Sequence, residues 1–295
     1  MTAIISASCG RTAYPQVVAH VLKHGRRRSP RGLATLDAGW VTVALDSAYG
    51  ALPLGTGRNV SRAIGAAEAA QLIGGYSDPD LMVRIASPFA RFLEPETGRF
   101  HGAYGTRVGN QVLFALNKLT ADRDTRQAVI TLWDPIRDNE PDRRDYPCTV
   151  ALRLSLWNDR LDLDVVMRSN DVWLGAAFDW FQFTQLQLTC ARALGVAPGV
   201  YRHTAWSLHI YETDIERAQQ LAVDPTRAVE WQPEGLGRPG QNFYDIQQRA
   251  LALRYPDDPR RADDTPSERW YREHLAPFTA GRTPHGVVDR SGAVT

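Results

Sequence analysis

Cys148 stands where a thiol can do chemistry. It closes the short charged turn Asp145-Tyr146-Pro147-Cys148 and opens an alternating run that ends at Trp157. As a thiolate it is a nucleophile; as a thiol it is one of the most readily buried side chains and simply packs. Further along the chain, Arg168 and Ser169 set a guanidinium beside a hydroxyl, a pairing that clamps phosphate. Asp171 reads either as a ligand-binding carboxylate or as a helix N-cap. Glu68 sits among Ala66, Ala67, Ala69 and Ala70. A carboxylate there is either the exposed face of a helix or a group held for general acid–base work. His209 and Tyr211 bring a ring nitrogen and a hydroxyl to one short segment, although His209 alone reads equally as an ordinary strand histidine.

Periodicity supplies the elements that must position these groups. Thr149 to Trp157 alternates as a strand, Asn158-Asp159 makes a turn, and Leu161 to Met167 alternates again. The pair is expected to form a hairpin that delivers Arg168 and Ser169 at its far end. A helix is expected from Trp180 to Leu194, stopped near Gly195, and a strand from His203 to Tyr211. Upstream, the pattern predicts a helix over 15–24, a strand hairpin from Leu33 to Leu36 and Val41 to Leu45, and a helix from Ser61 to Ile73. It also predicts an amphipathic helix over 109–119, a segment 124–133 that turns into a strand, and a charged helix over 262–275. Pro79, Pro88, Pro95 and Gly98 break up residues 76–100.

Pro147-Cys148, then Arg168-Ser169-Asn170-Asp171 with Leu174-Gly175, then Phe178, then His209-Ile210-Tyr211, together resemble the signature of the thymidylate synthase family. The resemblance implies a folate-dependent one-carbon transferase in which Cys148 adds to C6 of a pyrimidine nucleotide. It implies that Arg31, Arg168 and Ser169 hold the 5′-phosphate, and that Arg126 reaches across a homodimer to the partner's phosphate. In the family two adjacent arginines do this; here Gln127 follows Arg126. Asp171, Leu174, Gly175 and Phe178 would line the pyrimidine and folate site. Arg58 would meet the folate tail, and His209 and Tyr211 the sugar hydroxyl, with Tyr211 also near the cofactor. Glu68 and Tyr104 would belong to the proton network, although a core tyrosine accounts for Tyr104 equally well. The cofactor implied is 5,10-methylenetetrahydrofolate. Nearby arginines would be needed to depress the Cys148 pKa.

The departures from the family pattern are as informative as the match. Thymidylate synthases carry Pro-Phe-Asn after Leu-Gly, whereas this chain has Ala177-Phe178-Asp179, preceded by Ala176. Cytosine presents an N3 acceptor beside an N4 donor, and either a protonated Asp179 or an ionised one facing a protonated N3 complements both. The alternatives are that Asp179 is a tolerated isostere or a helix cap. With Asp here, the chain resembles the cytidylate hydroxymethylase branch of the family, known from phages and a nucleoside-antibiotic pathway, in which water captures the exocyclic methylene. Ala176 and Ala177 replace bulkier residues and leave room for a ribose hydroxyl, favouring CMP over dCMP. Ala205-Trp206 replaces the family's Gly-Asp, and Thr149 its histidine. Phe89 and Phe92 stand where the family has tryptophans. The rival readings are a dCMP hydroxymethylase, a thymidylate synthase acting on dUMP, and a non-catalytic nucleotide-binding protein on the same scaffold.

The chain has 295 residues, 43% hydrophobic content and a formal net charge of +1, enough apolar material for a sizeable core and no charge signal for a nucleic-acid polymer or a membrane. Its cysteines, Cys9, Cys148 and Cys190, are too few and scattered for a disulfide framework or a metal site. No apolar run is long enough to cross a bilayer, and Met1 to Ser6 lacks a secretory pattern, so the cytoplasm is expected. The resemblance implies an α/β (α+β) fold: one large, mostly antiparallel or mixed sheet flanked by helices, two copies packing sheet to sheet. A single catalytic domain over 1–295 is expected, divergent from about 221, with a tail at Gly286 to Arg290 unlike the family's apolar C-terminus.

Overall fold

The computed structural model describes residues 3–140, 143–221, 230–256, 258 and 263–282. The larger sheet runs in the order β1 (Ala3–Ala7), β4 (Val41–Leu45), β9 (Ala197–Ala205), β7 (Arg160–Met167), β6 (Thr149–Trp157), β5 (Val129–Thr131). It is mixed: β1 is parallel to β4 and β7 to β9, and the other neighbours are antiparallel. A smaller sheet joins β2 (Arg26–Arg28), β3 (Thr35–Asp37), β10 (Leu208–Tyr211) and the two-residue β8 (Asn170–Asp171). The helices are α1 (Gly10–His24), α2 (Arg62–Gly74), α3 (Pro79–Ile85), α4 (Gly105–Val108), α5 (Gln111–Ala121), α6 (Pro135–Asp138), α7 (Ala176–Leu194), α8 (Ile215–Gln219), α9 (Phe243–Ala252) and α10 (Pro266–Thr279).

The β6–β7 hairpin forms as its pattern predicts. Asn158 and Asp159 have φ of 50° and 58°, the left-handed pair that matches a two-residue turn to strand twist. Leu161, Leu163, Val165 and Met167 are buried along β7. Across this sheet lies α7, buried on every side from Ala176 to Ala191. Several of its polar side chains bond to backbone carbonyls: Gln185 Nε2 donates to Pro233 O at 2.8 Å and Gln187 Nε2 to Leu161 O at 2.8 Å. Thr184 and Thr189 hydroxyls return to the carbonyls of Trp180 and Gln185. Helix α2 packs against α7, and a Cβ at Gly65 would lie 3.1 Å from the Phe181 ring, so the glycine sets how closely the two helices approach. Helices α9 and α10 also pack against α2.

Several expectations are corrected. Helix α1 starts at Gly10 and contains Pro15, because burying Ala13, Tyr14, Val17 and Val18 outweighs the lost backbone bond. The expected hairpin of residues 33–36 with 41–45 does not form. Strand β3 pairs with β2 and β10, while β4 pairs with β1 and β9. Between them Gly39, at φ 71°, turns the chain from one sheet to the other, with Asp37 Oδ1 accepting its N–H at 2.8 Å. Residues 203–211 form two strands in different sheets, broken at Trp206-Ser207, where Ser207 Oγ donates to Asp37 Oδ2. Only Val129–Thr131 of segment 124–133 is a strand. Helix α7 starts at Ala176, four residues earlier than expected, which places Asp179 in its first turn. The tail at Gly286 to Arg290, and residue 262 of the expected terminal helix, lie outside the described residues. No helix among the described residues is long and apolar enough to cross a membrane.

Candidate active site

The turn before β6 is held in place by Arg168. Its Nε donates to Pro147 O at 3.0 Å, its Nη2 to Tyr146 O at 3.2 Å, and its Nη2 lies 3.8 Å from Cys148 Sγ. The hairpin completes the tether, since Arg168 N donates to Cys148 O at 2.8 Å. The guanidinium also sits 5.8 Å from the centroid of the Trp133 ring, which stacks on Tyr146. Cys148 opens into a cavity of about 210 Å³ whose lining includes Glu68, Tyr104, Asp145, Asp179 and Gln182, with Phe89, Phe92 and Phe100 among its apolar residues.

Helix packing brings two carboxyl groups together in that cavity. Gln182 Nε2 lies 3.2 Å from Asp179 Oδ1 and 3.3 Å from Glu68 Oε2, bridging α7 to α2. Burial pushes the Asp179 carboxyl up to about 7, against donation from Asn170 and Gln182. Burial, then the nearby Asp179 charge, pushes Glu68 up to about 8. Two acids near neutrality in one cavity can hold and pass protons. Tyr104 stacks on Phe183 at 5.8 Å, and burial keeps its hydroxyl protonated.

The expectation that arginines depress the Cys148 pKa is corrected. Burial pushes the thiol up to about 11; Arg168 and Arg31 lower it only in part, and Asp179 and Asp145 oppose them. In the free protein the Cys148 side chain is therefore a thiol.

Beyond Phe178 lies a second group of residues. Arg58 Nη1 donates to the Tyr14 hydroxyl at 2.9 Å, and its guanidinium lies 5.1 Å from the Trp173 ring centroid and 5.6 Å from that of Phe178. Asp171 Oδ1 accepts from the N–H groups of Trp173 and Leu174, whereas its buried Oδ2 has no hydrogen-bond partner among the described residues. An orphaned carboxylate oxygen beside aromatic rings and an arginine fits a flat heterocycle bearing N–H donors. Leu174 is 44% exposed beside it, and Gly175 and Ala176 lead into α7.

His209 and Tyr211 lie on β10 with their rings 5.4 Å apart, and His209 pairs with Asp171 across the small sheet. Ser169 is half-buried next to Arg168. Arg31 is exposed in a single 3-10 turn at φ 53°, close enough to influence Cys148. Arg126 is exposed in the loop before β5 and does not line the cavity, and the neighbouring Gln127 accepts from Lys118 Nζ at 2.9 Å. Sequence reasoning missed Gln182, Asn170 and Asp145. Gln182 had one available signal, its position one helical turn after Asp179. Among the described residues no cluster of metal-ligating side chains occurs.

The Thymidylate synthase family model matches residues 12–253. The Deoxyuridylate hydroxymethyltransferase of Bacillus phage SP01 is 29% identical over 218 residues, which covers 68% of this chain and 57% of that protein. The protein of the same description from Pseudomonas phage M6 is 30% identical over 162 residues, covering 52% of this chain and 46% of the relative. A Putative thymidylate synthase of Methanocaldococcus jannaschii is 31% identical over 115 residues, covering 38% and 52%. The chain thus spans about half the length of these curated relatives. With the cysteine turn, the Arg-Ser pair, Asp171 and the His-Ile-Tyr strand all inside a match that takes in most of its length, this chain belongs to the thymidylate synthase family.

Proposed function

We propose that this chain is a cytidylate 5-hydroxymethylase that acts on CMP in preference to dCMP and forms the 5-hydroxymethyl nucleotide. One observation carries the reading: the group facing Cys148 and Glu68 in the cavity is Asp179, a buried carboxyl poised near 7. Such a group can give a proton to cytosine N3 and accept from the N4 amine. In this reading Arg168 and Ser169 hold the 5′-phosphate with Arg31, while His209 and Tyr211 hold the sugar. Ala176 is fully buried and outside the cavity lining, so the preference for ribose rests on the family comparison of this segment and not on the pocket. Cys148 Sγ bonds to C6 as Asp179 moves its proton onto N3, and the thiol proton passes to the carboxylate so formed, so that charge does not build on the ring. Formation of the thiolate is coupled to substrate, because the free site keeps the thiol protonated.

Members of this family use methylenetetrahydrofolate, which when bound supplies the one-carbon unit at C5. Asp171, Leu174, Gly175, Phe178, Arg58 and Tyr211 would hold it, and the unpartnered Asp171 Oδ2 supports that placement. Glu68, with its pKa near 8, takes a proton from the water whose oxygen ends on the new exocyclic carbon, and Tyr104 orders that water. Residues 1–295 act as one catalytic domain, consistent with α9 and α10 packing on α2. The working unit is a homodimer in which the exposed Arg126 serves the partner's phosphate site. Three free cysteines suit the cytoplasm.

A second reading, hydroxymethyl transfer to dUMP, is favoured by the descriptions of the phage relatives. Exchange of the C5 hydrogen in D2O separates the two. Faster exchange on CMP than on dUMP supports the cytidylate reading, and the reverse order supports dUMP. No exchange on any pyrimidine nucleotide would leave a binding protein.

A further inference from the structure

Behind Asp179 runs a buried chain of polar side chains that the proposed chemistry does not use. The Tyr201 hydroxyl is 2.8 Å from His203 Nδ1, His203 Nε2 is 3.1 Å from Asn170 Oδ1, and Asn170 Nδ2 is 2.7 Å from Asp179 Oδ2. Tyr201 is 0% exposed, His203 1% and Asn170 3%, so these groups are shielded from bulk solvent. The geometry gives the chain a direction. Burial pushes His203 down to about 3, so its imidazole is neutral, with one donor and one acceptor nitrogen. The tyrosine hydroxyl donates to Nδ1, Nε2–H donates to the Asn170 carbonyl, and the amide is thereby turned to donate to Asp179.

That donation decides more than the position of the carboxyl. The contact at Oδ2 is 2.7 Å, whereas at Oδ1 Gln182 Nε2 stands at 3.2 Å and is shared with Glu68. In a carboxylic acid the carbonyl oxygen is the better acceptor, so the stronger donor selects Oδ2 as the carbonyl and leaves the O–H on Oδ1. A neutral carboxyl can match cytosine or uracil, depending on which of its oxygens bears hydrogen. We propose that Tyr201, His203 and Asn170 form a positioning chain that fixes which oxygen of Asp179 carries the proton, and so sets the choice between a cytosine and a uracil nucleotide. Gly175 keeps this joint open: a Cβ there would stand 3.2 Å from Asp179 Oδ2 and 3.4 Å from Asn170 Nδ2. Without the chain, the proton settles on either oxygen and both base edges are read.

The proposal rests on the pyrimidine-nucleotide reading of the site, and its test separates the two. For the wild type, His203→Phe, His203→Gln and Tyr201→Phe, kcat/KM and dissociation constants are measured for CMP and for dUMP, with melting temperatures to establish folding. His203→Phe should move the CMP:dUMP preference toward unity by about tenfold, the scale of one misplaced buried hydrogen bond. His203→Gln, which can still accept from Tyr201 and donate to Asn170, should retain most of it. Tyr201→Phe keeps the ring and should shift the preference in the same direction by several-fold. Folded variants whose preference stays within twofold of the wild type overturn the proposal. A wild type that turns over neither nucleotide sinks the functional reading alone, because the binding ratio still reads the chain. A wild-type binding ratio near unity sinks the chain.

Discussion

Replacing Asp179 by Asn tests the proton on which the site turns. The side chain keeps its size, but the group that burial holds near 7, against an ordinary 3.8, is removed. Between those two values the folded chain keeps a proton that the unfolded chain has released. Wild-type stability therefore falls as pH rises from about 4 to about 7, by up to about 4 kcal/mol. Asn has no such slope. Glu68 adds its own decline up to about pH 8 in both proteins, smaller in the variant because the neighbouring Asp179 charge is gone. Urea denaturation from pH 4 to pH 8 should show the variant gaining on the wild type by a few kcal/mol across that range. Any fixed cost of rearranging Gln182 or Asn170 is independent of pH and cancels from the trend. In turnover, an amide can donate a hydrogen bond to the base edge but cannot transfer the proton. Cytidylate turnover should fall by about 10²–10⁴-fold, more than turnover of a uracil nucleotide. Parallel stability curves for the two proteins would show that Asp179 titrates normally and holds no extra proton in the folded chain.

Four further outcomes follow from the same geometry. Cys148→Ala should abolish turnover while nucleotide binding, measured by calorimetry, stays within a few-fold. Alkylation of Cys148 by iodoacetamide, followed by peptide mass mapping, should accelerate about tenfold per pH unit from 7 toward 10, as a thiol near 11 requires, and a plateau near pH 8 would contradict it. Glu68→Gln should lower product formation by about 10²–10⁴-fold with little change in CMP affinity. Arg168→Lys keeps the charge but loses the fork that ties Pro147 and Tyr146, so kcat should fall along with phosphate affinity.

What was legible in the sequence was local. Alternation and the Asn158-Asp159 turn sufficed for the β6–β7 hairpin, because register there is fixed by neighbours in the chain. The ordered motifs sufficed to nominate Cys148, Arg168, Asp171 and Asp179. The partition of residues 33–45 between two sheets was not legible, since β3 and β4 find partners far away in sequence, around β10 and β9. The early start of α7 was obscured because Asp179 reads as a helix N-cap, whereas it sits inside the first turn of a helix that begins directly after Gly175. The acidity of Cys148 was misjudged for a related reason: arginines can be counted in a sequence, but the burial that outweighs them is a property of the packed chain. Asn170 and His203 meet across 33 residues, and neither carries a signal alone.

The most direct measurement is the mass of the nucleotide product after incubating the protein with methylenetetrahydrofolate and CMP, dCMP or dUMP in turn. The expected product is a cytidylate that has gained CH2O, most abundant with CMP. A gain of CH2O on dUMP alone, or of CH2 on dUMP, would contradict the role assigned to Asp179.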